Sequence, residues 1–180
     1  MENKKTPKNF CHLLLEELNV AMLPIAHQTP IVKSMLKWAK TAVEKPTEST
    51  TPRAWMLLMD GNWTNSAHIK NLTALKRSVQ DLHPIAKKIT EQMQLFSSHK
   101  AIYKEIQSFT KCYRNLPVIE PEIQLLMMNH NLFDNKELLP NLLHYVSELE
   151  MLQITANNLK KLVLHDSIVH IDLHLDSEPV

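Results

Sequence analysis

Glycine is almost missing from this chain: Gly61 is the one such residue among 180, where average usage of about 7% would bring roughly a dozen. The backbone therefore has few places that take φ > 0 cheaply. That excludes the usual phosphate-cradling loops, tight two-residue hairpins and nucleophile elbows. Cysteine is scarce too. Cys11 and Cys112 stand isolated, in no spacing that signals a disulfide framework, and neither has a histidine in a context diagnostic of a nucleophile. Long hydrophobic runs are also wanting. The stretch from Phe10 to Leu23 is interrupted by His12, Glu16, Glu17 and Asn19, side chains that are costly in a signal core or a membrane span. No membrane segment is expected, and unpaired cysteines suit a reducing interior, cytoplasmic or nuclear.

Good helix formers fill the space that glycine leaves: leucine, lysine, glutamine and nine methionines. Apolar residues at 44% and charged residues at 22% are near globular averages, so a folded core is expected rather than disorder. The expected class is all-α, a multi-helix bundle of about six helices. Net charge is only +1, but it is unevenly spread. Residues 1–118 hold 17 Lys and Arg against 9 Asp and Glu, whereas residues 119–180 hold 3 against 10. Mutual attraction of the two parts is the plain reading, and an acidic partner for the basic part is the sharper one.

Prolines punctuate the first third. Thr6-Pro7, Thr29-Pro30 and Thr51-Pro52 each set a capping hydroxyl before a proline, which predicts helices over 7–22, 30–45 and 52–59, with 45–51 as a linker. Asp60-Gly61-Asn62 reads as a turn. The domain layout that follows is an N-terminal helical segment over 1–60, a main bundle over 61–164, and an extended tail over 165–180.

The main bundle is predicted to hold two long heptad-patterned stretches, near 65–113 and 136–164. The first carries Leu72, Leu75, Val79, Leu82, Ala86, Ile89, Met93 and Phe96 in a three-four rhythm. Such a seam keeps facing one neighbour along a helix. After a break at Ser97-Ser98 it resumes in a new phase with Ile102, Ile106, Phe109 and Tyr113. Pro84 predicts a kink or fresh start near His83. Glu122 to Met128 reads as a short helix and Asp134 as a cap. The second stretch repeats the rhythm with Leu142, Tyr145, Leu149, Leu152, Ala156, Leu159 and Val163. Its extra flanking leucines suit a bundle better than a two-stranded coiled coil.

In the tail, Val169, Ile171, Leu173 and Leu175 alternate with His170, Asp172, His174 and Asp176. Period two predicts a short strand, which would need another chain's sheet or an extended docking mode. On a strand, His170, Asp172 and His174 would share one face and form a candidate zinc site, with the plain alternative that a wet face simply needs polar residues. His144 and Glu148 are one helical turn apart, which resembles half of a di-iron ligand set but more simply makes a surface pair. The tryptophans and methionines read as core fillers.

Function is expected to be non-catalytic: a protein-protein interaction subunit or adaptor of an intracellular complex, homo- or hetero-oligomeric, acting through amphipathic helices. The ridges over 72–96 and 138–163 are expected to pair with each other. No catalytic residue and no cofactor is assigned. The alternatives are a metal-binding helical protein using the His/Asp-rich tail and a helical regulator that touches nucleic acid through the basic middle. For the latter, Lys70, Lys76, Arg77, Lys87, Lys88, Lys100, Lys104, Lys111 and Arg114 are scattered rather than gathered in a stripe, which argues against nucleic acid as the principal partner.

Overall fold

Helix α1 begins at Pro7 and runs unbroken over Pro7–Glu44, with Pro24 and Pro30 inside it. It is followed by α2 (Gly61–Glu91), a 3-10 turn at Met93–Phe96, α3 (Lys100–Arg114), α4 (Glu120–Met127) and α5 (Leu138–Ser177). The computed structural model describes residues 7–44, 61–128, 130, 132 and 138–177, with the backbone alone for 7–12, 42–44, 61–65 and 166–177. Among the described residues there are five α-helices and no strand, so the all-α bundle expected from the sequence is what the chain forms. The expected helix over 52–59 and the cap Asp134 lie outside the described residues.

Cross-helix pairs fix the directions. Lys88 reaches Glu17 at 3.3 Å and Ser78 Oγ donates to Gln28 Oε1 at 3.0 Å, so α1 and α2 run antiparallel. Lys33 meets Glu150 at 2.8 Å and Gln153 Nε2 donates to Thr29 Oγ1 at 3.1 Å. Helices α1 and α5 are antiparallel as well. Thr90 pairs with Thr110 and His83 with Tyr113 between α2 and α3, while Asn158 donates to Glu105 between α5 and α3. The principal neighbours are α1 with α2, α2 with α3, α3 with α5, and α5 with α1. This is an up-down-up-down four-helix ring, in which α4 packs on α2 within the connection from α3 to α5.

The prolines explain the difference between the expected short helices and the observed α1. A proline inside a helix removes one hydrogen bond and crowds the preceding turn, at a cost of about 3 kcal/mol. Stopping at Thr29 would throw Val32, Leu36 and Ala39 out of phase, all three of which are fully buried. Burying Val32 and Leu36 is worth about 1.5–3 kcal/mol each, comparable with the penalty at Pro30. Thr29 is not a cap. Its hydroxyl donates back to the carbonyl of Ile25, inside the helix. Helix α2 likewise passes through Pro84 without ending.

Two further expectations are corrected. The ridges over 72–96 and 138–163 are both buried, but they do not pair face to face. Helices α2 and α5 sit on opposite sides of the ring, each against α1 and α3. Residues 168–176 form the last turns of α5 rather than a strand or an extended tail. A lone strand leaves its backbone groups unpaired, whereas a helix already nucleated at Leu138 gains one hydrogen bond per added residue. The expected break after the first ridge does occur: the 3-10 turn ends on buried Phe96, and His99 N–H donates to the Phe96 carbonyl at 2.9 Å.

Candidate interaction surface

The inward face of each helix is a continuous apolar seam, and three seams admit a polar member. On α1 the seam runs Leu15, Leu18, Met22, Ile25, Thr29, Val32, Leu36, Ala39; on α2 it runs His68, Leu72, Leu75, Val79, Leu82, Ala86, Ile89. On α5 Thr155 is buried beside the seam, its hydroxyl donating to the carbonyl of Leu152 at 2.8 Å. Most of these polar groups are satisfied, as buried polar groups generally must be. His68 is the exception. Its Nδ1 is buried without a partner among the described residues, and burial holds its imidazole well below the usual histidine range, at about 4.

The thirteen seam residues singled out from sequence are located as follows. Leu72, Leu75, Val79, Leu82, Ile89 and Phe96 are buried in the ring, as are Leu142, Tyr145, Leu149, Leu152, Leu159 and Val163; Met93 packs half-buried against them. These side chains are taken up by the chain's own core. Burial, with the Tyr113 hydroxyl as a lesser influence, raises the Tyr145 phenol. Desolvation first, then Glu148 and Glu105, push the Cys112 thiol up against the opposing pull of Lys111.

The candidate metal residues His170, Asp172 and His174 lie on helical backbone, so the strand spacing that put all three on one face does not hold; their side chains lie outside the described residues. Among the described residues no three His, Cys, Asp or Glu side chains come together as a metal cluster. His144 is exposed and Glu148 half-buried on α5. The basic residues of the middle are partly spoken for: Lys76 pairs with Glu120, Lys87 with Glu91 and Lys88 with Glu17. Lys76–Glu120 and Lys33–Glu150 tie the basic part of the chain to the acidic part, the plain reading of the charge asymmetry.

Exposed large apolar side chains among the described residues fall on α1, on α5 (Met151, Ile154 and Leu164), at the end of α4 (Met127) and in the connections between helices (Leu95, Val118 and Met128), and those on α1 line up. Leu13, Val20, Leu23 and Ile31 are exposed, Val20 by 69% and Leu23 by 67%. At 3.6 residues per turn Leu13, Val20 and Ile31 fall nearly in line, with Leu23 about a quarter-turn aside. Beside this stripe, between α1 and α2, an open groove of about 580 Å³ is lined by Glu16, Glu17, Val20, Ala21, Pro24, Ser78, Asp81 and Ile85. A second, polar groove between α2 and α3 is lined by Thr90, Gln107, Thr110, Lys111 and Arg114 among others. Met127, Met128 and Met151 are exposed rather than core fillers. Trp38 is half-buried, while the side chains of Trp55 and Trp63 lie outside the described residues.

The outward stripe is obscured in the sequence by Thr29-Pro30, which mimics a helix start inside the continuous α1. The signal was there: the three-four rhythm from Leu15 to Ala39 passes through Thr29 without a slip. The fold defines the chain as an antiparallel four-helix bundle with a crossing helix in its third connection. Comparison with protein-family models, with curated proteins and with solved structures gave no match. Among the described residues, no helix is long and apolar enough to cross a membrane.

Proposed function

We propose that this protein is a non-catalytic interaction subunit or adaptor whose outer α1 face engages a protein partner. The observation that carries this reading is the exposed apolar stripe of Leu13, Val20, Leu23 and Ile31 on a helix whose opposite face is fully used by the core. Isolated exposed apolar residues are ordinary, but several aligned on one helix beside a groove are what helix-to-helix recognition uses. Burial of that stripe by a partner, at about 25 cal/mol per Å² of apolar surface, would supply the association energy.

The test is capture from native extract with wild type and with the variants Leu23→Asp and Ile31→Asp. Both positions are exposed, so circular dichroism stays unchanged. A stoichiometric partner held by the wild type and lost from both variants supports the reading. Identical capture by all three overturns it.

A further inference from the structure

Building on the interaction reading, we infer that the groove between α1 and α2 receives an amphipathic helix whose apolar side chains are flanked by Lys or Arg at both ends. The middle of the groove is apolar, formed by Val20 and Ala21 on α1 and Ile85 on α2. Its charges stand at the two ends. The antiparallel register, with Lys88 beside Glu17 and Ser78 beside Gln28, sets Glu16 and Glu17 level with the C-terminal turns of α2. Asp81 is then level with Pro24 and Ile25. Along the axis the two acidic ends are about 12 Å apart, on the order of two helical turns.

One cation of this chain, Lys88, is bound to Glu17; among the described residues the lining holds no basic side chain. The groove is therefore net acidic around an apolar floor. Lysine and arginine supply both positive charge and N–H donors. An acidic helix or a nucleic-acid backbone meets the same carboxylates with repulsion.

The experiment uses the full chain and two synthetic probes read by fluorescence anisotropy. One probe is a stapled helix with leucines on one face and two lysines about seven positions apart; the other carries glutamates in place of those lysines. The lysine probe binds, more weakly as salt is raised, and the glutamate probe does not. Asp81→Lys and Glu16→Lys each weaken the lysine probe by roughly five- to tenfold, on the scale of one lost exposed ion pair and one gained repulsion, and both improve the glutamate probe. Equal binding of the two probes, or a preference that neither reversal moves, overturns the inference. Absence of binding by either probe also overturns it, and leaves the interaction reading to stand on Leu23 and Ile31, which lie outside the groove.

Discussion

Gln153 on α5 donates its side-chain amide to the Thr29 hydroxyl on α1 at 3.1 Å, joining residues 124 positions apart. Thr29 is only 2% exposed, and its hydroxyl proton is directed to the carbonyl of Ile25. The hydroxyl therefore both receives and gives a hydrogen bond, at the seam position just before Pro30. A polar atom so enclosed costs little when matched and a good deal when not.

Removing that match is the first expectation. Thr29→Val strands the Gln153 amide and lowers stability by about 1–2 kcal/mol, which for a chain of this size moves Tm by roughly 2–8 °C. Adding Gln153→Leu recovers part of the loss, so the double variant is less destabilised than the sum of the singles. Urea unfolding of the four proteins measures the coupling, and strict additivity would show that the pair is not coupled.

Acidity acts through His68. Its imidazole is held at about 4 by burial, against about 6.5 in an unfolded chain. Between those values the unfolded form binds a proton that the folded form refuses, so stability rises with pH across the window and is lost as pH falls from about 6.5 toward 4. The full effect of this one group is about 3 kcal/mol. His68→Leu flattens the dependence in chemical-denaturation series at pH 4.5, 5.5 and 7; a slope unchanged by the substitution would show that other groups carry it.

The ring depends on both ridges. Leu82→Ala and Leu149→Ala each remove a fully buried side chain and should cost about 2–5 kcal/mol. Val118→Ala, at a side chain 73% exposed, should stay within about 0.5 kcal/mol. Thermal melts rank the three, and a small loss at Leu82 would mean that α2 is not buried as described.

Relief at the prolines should run the other way. Pro30 and Pro24 are exposed and interior to α1. Alanine at either position restores an N–H to the carbonyl four residues back and raises helix propensity, stabilising the fold by about 1–3 kcal/mol. A lowered Tm for Pro30→Ala would show that the ring preserves a bend there that alanine cannot supply.

Much of this architecture could be read from the chain before any coordinates. The ridges Leu72 to Phe96 and Leu142 to Val163 are visible because each position is fixed by its neighbours three and four residues away, a property local to one helix. The break after Phe96 and the short helix before Met128 are local as well. The continuity of α1 is masked rather than absent: Thr29-Pro30 satisfies every local rule for a helix start and competes with the three-four rhythm that runs through it. The competing term is the tertiary burial of Val32, Leu36 and Ala39. The tail misled in the same manner: alternation from Val169 to Asp176 is a strand signal only if a second strand exists to meet it. The groove was beyond reach altogether, since Glu17 and Asp81 come to stand at the two ends of one groove only once the register of α1 on α2 is set.

The first described helix closes the ring against the last. Contacts between successive helices can form as soon as each hairpin is made, but Thr29 and Lys33 find Gln153 and Glu150 only after more than a hundred further residues have been synthesised. Until then α1 has one wall of its seam uncovered. A nascent polypeptide arrested before residue 138 should thus bind chaperones through that wall and release them when α5 arrives, since unclosed apolar surface is what such helpers recognise. Sealing the ring of helices thus draws shut a loop of more than a hundred residues, an entropic cost that contacts between successive helices do not carry.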